Sequence, residues 1–406
     1  MHLGVHKIIV VNLIVFCSLF LSLEFASRVW LYFWKCDTAC YDTAYLTKLD
    51  AFTRNISKNR AYGFLTADPI TGYSPGDGTF VIREWNDATI TIRQGVRLNP
   101  NFTPPSADGA ILAVGDSFVF GDEVSDNETW PAILEQRINR RVVNGGVSGY
   151  GTAQAVLRAA QLLKTEPYSL VILSILVPFD LWRDRDVTGI GGFYRPVVIR
   201  QDGGLYQTTA EESRRVVSDN FVCAHPWIPE LFFWSYIAKR FFSRVGYDGR
   251  CTNLTHPKVA TVEEVLEFAV GRLAAFPVNT AILMQYQRVS FVQAGKALGD
   301  YIRAANAGRR MIREAANRHG VPVIDTYDAL NSEPLRETYN DGSWSHHSKR
   351  GNDGSWSHHS KRGNEIVADL IASSDKSIVV PNCWLQPRRR GGMYCEQGSA
   401  GGIGLR

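Results

Sequence analysis

A serine that follows a short apolar run and a glycine is a candidate nucleophile, and this chain holds one in Ile111–Gly121, ILAVGDSFVFG. Four apolar residues run into Gly115-Asp116-Ser117-Phe118, the pattern of a buried strand that stops at a tight turn. Open α/β sheets hold their ligands at the carboxyl ends of their strands. A hydroxyl presented there attacks a carbonyl when a base within hydrogen-bond reach takes its proton. Gly-Asp-Ser is also ordinary turn composition, so Ser117 needs partners elsewhere in the chain. Histidine supplies the usual base, and NDGSWSHHSKRG occurs twice in tandem, at Asn340–Gly351 and Asn352–Gly363. A repeat this short is no solenoid unit and reads as a local duplication in a surface loop. His346 and His347 of the first copy run on into more loop. His358 and His359 of the second run into an apolar helix, Glu365–Ser373, which can fix their position. The loop gives the four histidines no regular spacing for a metal ion.

The elements that must carry Ser117 and His358 follow an α/β alternation. Thr129–Arg140 has helical spacing with Pro131 in the first turn. Arg141–Gly151 is a short strand running into a glycine-rich loop, Thr152–Lys164 is helical, and Ser169–Leu176 is a buried strand. The pattern breaks from Trp182 to about Lys258. That stretch holds a hairpin around Asp202-Gly203-Gly204 and an aromatic helix candidate, Leu231–Phe242, which reads as packing against the main domain rather than lipid contact. The alternation then resumes with a helix at Val262–Phe276, a strand at Thr280–Gln285, a long helix at Leu298–His319 and a strand at Val321–Asp325. Strands alternating with helices imply a mostly parallel sheet covered on both faces.

The chain has 406 residues and a formal net charge of +4. This small excess, with no basic motif interleaved with aromatics, excludes a nucleic-acid reading. Residues 8–23 are almost continuously apolar, and Val29–Trp34 continue the run with Trp30, Tyr32 and Trp34. Together they predict one helix that spans a bilayer with aromatics near an interface; no clear small-residue cleavage site comes after it. Cys17 lies in that run. The other six cysteines fall into sequence-near pairs, Cys36 and Cys40, Cys223 and Cys251, Cys383 and Cys395, which fits disulfides in an oxidising compartment. The expected organisation is an N-terminal anchor or signal segment (1–35), juxtamembrane loops and short strands (36–107), the α/β domain (108–375) with its insertion at about 182–258, and a basic, glycine-rich tail (376–406).

These residues resemble the SGNH/GDSL hydrolase superfamily, in its membrane-anchored bacterial branch, over roughly Asp108–Ser373. Gly115-Asp116-Ser117-Phe118 with Gly121 matches the first block of that family. Asn144-Gly145-Gly146 matches the second. In the third, usually Gly-x-Asn-Asp, Asp180 fits, but Phe179 stands where asparagine is expected. The fourth is usually Asp-x-x-His before a helix. Here His358 fits, but Ser355 occupies the aspartate position and the nearest aspartate is Asp353.

The resemblance implies a flavodoxin-like three-layer α/β/α sandwich, preceded here by one transmembrane helix. It implies hydrolysis or transfer of acyl esters without metal or organic cofactor. Ser117 would be the nucleophile, His358 the base, Asp353 the residue that orients it, and the backbone N–H groups of Ser117 and Gly146 the oxyanion donors. The third donor is absent because Phe179 replaces the asparagine. The leading expectation is an extracytoplasmic, membrane-anchored, periplasmic or extracellular esterase or O-acyltransferase. Its substrate would be an acylated cell-envelope carbohydrate, acetyl esters first, or a small ester. A lipid-directed esterase and a non-catalytic carbohydrate-binding or assembly protein are the alternatives.

Overall fold

The computed structural model describes residues 2–33, 62–100, 109–187, 189–190, 193–213, 258–291, 295–340, 358–374, 383–387 and 393–397. Helix α1 (His2–Phe33) comes first. Two hairpin strands come next, β1 (Leu65–Asp68) and β2 (Gly72–Pro75), then β3 (Gly78–Ile82), β4 (Ala88–Arg93) and β5 (Val96–Arg97). The alternating part runs β6 (Ala110–Val114), α2 (Ser117–Phe120), α3 (Trp130–Ile138), β7 (Val142–Asn144), α4 (Thr152–Leu162), β8 (Tyr168–Val177) and α5 (Phe179–Arg183). After the hairpin β9 (Val198–Gln201) and β10 (Gly204–Gln207) come α6 (Val262–Ala274), β11 (Asn279–Tyr286), α7 (Gly295–His319), β12 (Val323–Asp325), α8 (Tyr327–Asn331), α9 (Leu335–Thr338) and α10 (Lys361–Ser373). Two terminal strands close the chain, β13 (Cys383–Pro387) and β14 (Met393–Gln397).

The central sheet has eight strands in the order β12-β11-β8-β6-β7-β5-β4-β3. The five from β12 to β7 are parallel. In chain order they run 2-1-3-4-5, the doubly wound flavodoxin-like arrangement, whose direction of winding reverses between the first and third strands. These are β6 and β8, so the switch point lies beside Ser117. Right-handed crossovers then require α3 on one face and α4, α6 and α7 on the other. Consistent with that, α10 packs on α3, and α6 packs on both α4 and α7. Every residue of β6 is buried, as is nearly every residue of β8; coverage of both faces is why these strands read as unbroken apolar runs.

The sheet does not begin at the expected domain start, Asp108. β5 pairs antiparallel with β7, and β4 and β3 extend the same edge. Tyr73, Trp85, Ile90 and Ile92, all within the stretch expected to be juxtamembrane, are core residues. ATITIR in β4 does alternate buried and half-buried positions, but a six-residue alternation among many turn formers looks like a lone hairpin until its neighbour is known.

On α1 the apolar side chains from Val10 to Phe25 are mostly exposed. Side chains are described on that helix only for residues 10–26, and among the described residues no helix is long and apolar enough to cross a membrane. The terminal strands pair with Cys383 opposite Gln397 and Cys395 opposite Leu385. The side chains of the six paired cysteines, the aromatic stretch Leu231–Phe242 and most of the duplicated segment lie outside the described residues.

Candidate active site

Ser117 sits where a sharp turn leaves β6. A Cβ at Gly115 would lie 2.8 Å from the Ser174 carbonyl oxygen and 2.7 Å from Val119 Cγ2, so the turn can press this close to β8 only with glycine. Asp116 caps α2 by accepting the Phe118 N–H at 2.9 Å, the usual role of aspartate at a helix start. Ser117 is the first residue of α2. Its backbone N–H is one of the donors that a helix leaves without an internal partner.

The loop after α2 is held rigidly. Arg97 of β5, fully buried, donates to the carbonyls of Phe120 at 2.8 Å, Gly121 at 2.6 Å and Val124 at 2.7 Å, and to Asp126 Oδ1 at 2.8 Å. Asn144 of the second block donates from Nδ2 to Val119 O at 2.9 Å. Within this clamp Glu123 adopts a left-handed backbone, φ +69°, a conformation that costs energy for a non-glycine residue and persists only where its surroundings enforce it. The result is that two consecutive carboxylates, Asp122 and Glu123, face the same imidazole.

That imidazole is His358. It lies just before α10, whose N-cap Ser360 accepts the Gly363 N–H at 3.3 Å. The strand-like bridge Tyr339↔His359 and the Asn340 N–H on the His358 carbonyl at 3.0 Å pin the preceding chain. Asn340 Nδ2 reaches both the His359 carbonyl at 3.3 Å and the Glu123 carbonyl at 3.4 Å. So placed, His358 Nε2 lies 2.9 Å from Ser117 Oγ and Nδ1 lies 3.2 Å from Glu123 Oε1. With Nδ1–H donated to the Glu123 carboxylate, Nε2 is left as the acceptor for the serine hydroxyl. His358 Nε2 is also 3.9 Å from Asp122 Oδ2.

Burial opposes a charged His358, but Glu123, Asp122 and Asp116 outweigh it, and the imidazole pKa stands above its ordinary value. Burial pushes Asp122 up to about 6, against the opposing pull of His358 and of hydrogen bonds from Ser148 and Tyr62. Those hydroxyls sit 2.6 and 2.8 Å from its two oxygens. The neighbouring His359 does different work. It is buried between the Phe118 and Tyr339 rings, with centroids 4.8 and 5.1 Å away, and burial drives its pKa down to about 3. It is a neutral packing residue that seats the chain carrying His358.

The expected orienting residue, Asp353, lies outside the described residues; the carboxylate on His358 Nδ1 is Glu123. His346 also lies outside them. Of the two expected oxyanion donors, Ser117 N–H makes no hydrogen bond among the described residues, whereas Gly146 N–H donates to Asn144 Oδ1 at 3.2 Å. The Gly146 backbone presses against α2 so closely that a Cβ would fall 2.3 Å from Phe120 N. Phe179 is buried, edge-on to Trp182 at 5.3 Å between centroids. Asp180 Oδ2 accepts the Leu176 N–H at 2.8 Å and fixes the start of α5. Spacing alone does not single out Glu123, Asp122, Arg97 or Arg183. The one available signal is Asp-Glu directly after Gly121, where a carboxylate pair comes just after the Gly115–Ser117 turn.

No family model matches the chain, and no curated protein matches it in sequence. Among solved structures, it is similar to a putative lipolytic protein of the G-D-S-L family from Desulfitobacterium hafniense, at 14% identity and TM-score 0.34, over 65% of this chain and 98% of that one. It is similar to the acetylxylan esterase Axe2 from Geobacillus stearothermophilus at 14% identity and TM-score 0.35, over 66% and 94%. It is also similar to LAE5, an alpha/beta hydrolase enzyme from the metagenome of Lake Arreo, at 14% identity and TM-score 0.35, over 65% and 94%. This chain's own strand order and register define its fold.

Proposed function

We propose that this chain is a serine esterase or O-acyltransferase of the SGNH/GDSL type, working through Ser117, His358 and Glu123. The observation that carries this reading is the relay itself: Nε2 at 2.9 Å from Ser117 Oγ and Nδ1 at 3.2 Å from Glu123. Ser117 Oγ attacks the acyl carbon while its proton passes to His358 Nε2. The tetrahedral intermediate collapses, the C–O bond to the alcohol breaks, and the alcohol leaves with the proton from Nε2. Water then attacks the acyl-serine, or in a transferase a second hydroxyl does so. His358 takes that nucleophile's proton and returns it to Ser117 Oγ as the acid or the new ester departs. Glu123 holds the tautomer and stabilises the imidazolium formed in each half-reaction. Neither half needs a cofactor.

The proposed substrate is an acylated cell-envelope carbohydrate, acetyl esters first, processed outside the cytoplasm by a protein held at the membrane through residues 1–35. The nearly continuous apolar run of residues 8–23, with Val29–Trp34 after it, motivates the anchor. The full chain in detergent should release 4-nitrophenol from 4-nitrophenyl acetate and acetate from acetylated oligosaccharide. Ser117→Ala and His358→Ala should each remove that turnover. If the parent shows no turnover that depends on both residues, the chain is a binding protein on this fold and the enzyme reading fails. A preference for long-chain over acetyl esters would move the substrate class to lipids.

A further inference from the structure

An acyl-transfer site needs hydrogen-bond donors aimed at the oxygen that becomes negative, and this one is short of them. Ser117 N–H is uncommitted, Gly146 N–H is shared with Asn144, and the side chain at 179 is a buried phenylalanine. One other donor group is tied to the same turn. Arg183, four residues after Phe179 and hence on the next turn of α5, donates from Nη1 to Asp116 Oδ2 at 2.7 Å, to Asp180 Oδ1 at 2.7 Å and to the Tyr150 carbonyl at 3.5 Å. Asp116 Oδ2 in turn lies 3.4 Å from Ser117 Oγ. The guanidinium therefore bridges the nucleophile turn, the glycine loop that carries Gly146 and the helix that carries Phe179.

All three of these contacts use one nitrogen. Nε and Nη2 make no hydrogen bond to the described residues. The side chain is 24% exposed, whereas Asp116 is fully buried, so part of the Arg183 side chain is reachable from solvent. A purely structural counter-ion has no need of this arrangement, because one nitrogen already satisfies both carboxylates.

We infer that Arg183 is the third oxyanion donor, its free N–H groups taking the place of the asparagine that Phe179 displaces. This rests on the esterase reading above and assigns one more group to the same site. The two flanking carboxylates hold the guanidinium in place before the substrate arrives, so it need not reorganise as the oxyanion forms.

The test is Arg183→Lys in the full chain. A lysine ammonium can still pair with Asp116 and Asp180 but has no planar fork to extend beyond them. Expected are a melting temperature close to that of the parent, kcat on 4-nitrophenyl acetate lower by about 100- to 1,000-fold, and KM within about threefold. The inhibition constant of phenylboronic acid, which forms a tetrahedral adduct on Ser117, should rise in step with the fall in kcat. A kcat within about threefold of the parent overturns the inference, as does a rise in KM at constant kcat, which marks a ground-state anchor. So does a fall in kcat with unchanged boronate affinity. If the lysine variant melts early, Arg183→Gln is compared on the same readouts against the same outcomes. Parent activity that Ser117→Ala abolishes, with Arg183→Lys fully active, fails this inference alone. A parent with neither Ser117-dependent turnover nor boronate binding fails both.

Discussion

Replacing Glu123 by glutamine removes one charge and little shape, so it isolates what that carboxylate contributes. His358 Nδ1 and Glu123 Oε1 are 3.2 Å apart, and both side chains are largely buried. At an effective dielectric constant near 20, a full charge pair at this distance is worth about 5 kcal/mol. On the proposed mechanism the imidazolium exists in the transition state and not in the neutral free enzyme, so this interaction is differential and acts on rate. Asp122 near Nε2 retains part of the stabilisation. A glutamine amide can also turn its NH2 toward Nδ1 and force the proton onto Nε2, the wrong tautomer for accepting from serine. Loss of a triad carboxylate through the wrong tautomer costs about 10⁴-fold in a serine protease. For Glu123→Gln the expected loss in kcat is therefore about 10²- to 10⁴-fold.

The same variant moves the pH profile. Glu123 helps hold the His358 pKa above its ordinary value, and as the proposed base His358 must be unprotonated to work. In the parent, kcat/KM on 4-nitrophenyl acetate should fall as pH drops through that raised pKa. In Glu123→Gln the acid limb should lie at lower pH, so the residual activity persists further into acid. Stopped assays between pH 4 and 9, with circular dichroism to confirm the fold, read both effects. A folded variant with kcat within threefold of the parent and an unmoved acid limb would refute the role assigned to Glu123.

Asp122→Asn should stabilise the protein at alkaline pH. The buried carboxyl titrates near 6 rather than at its ordinary 3.8, so its contribution favours folding below about pH 4 and declines as pH rises to 6. Urea unfolding at pH 8 should show a gain of up to about 3 kcal/mol that vanishes below pH 4; equal stability of the two proteins at pH 8 would contradict this. Arg97→Met leaves Asp126 and three carbonyls without their buried donor and should cost about 3–5 kcal/mol in the same measurement. Deleting residues 341–352 removes one copy of the duplication but keeps the contacts of Tyr339 and Asn340 with His358 and His359. Turnover should stay within threefold, and a shorter closed loop should stabilise by about 1 kcal/mol. Loss of activity would show that the first copy is needed.

Much of the frame could be read directly. The strand and turn at Ile111–Ser117 combine strong apolar periodicity with a glycine that the close approach to Ser174 requires. His358 could be told from His346 by the residues on its C-terminal side. Gly363 runs into Asn364 and an apolar helix, and in the fold that glycine lies under the Thr338 carbonyl with no room for a Cβ. The first copy runs from Gly351 into Asn352, Asp353 and a second loop. The parts that could not be read depend on contacts distant in sequence or on unusual backbone. Arg97 meets its carbonyls more than 20 residues away through an antiparallel edge that resembles an isolated hairpin. Glu123 reaches His358, 235 residues on, from a backbone of positive φ, and such a torsion at a glutamate leaves no mark on composition or spacing. Arg183 lies in a helix of five residues, too short for any periodicity to assign its face.

The placement of Glu123 also bears on how the chain carries a duplication beside the proposed site. If the orienting carboxylate came from the histidine block, it would be Asp353, inside the segment that has been copied, where each tandem copy keeps the same five-residue spacing, Asp341 to His346 and Asp353 to His358. Here Ser117 and Glu123 share one rigid unit, six residues apart in the chain and clamped by Arg97 and Asn144. Only the histidine arrives from the far end of the domain, and it is positioned from its C-terminal side by α10 and across the bridge by Tyr339. Neither anchor belongs to the copied stretch between Asn340 and His358, so length added there leaves the relay unchanged. Asp353→Asn should therefore leave kcat within twofold of the parent across the pH range, while Glu123→Gln lowers it by at least a hundredfold. The reverse ranking would return the acid to the histidine block and leave Glu123 as a structural partner of Asn340.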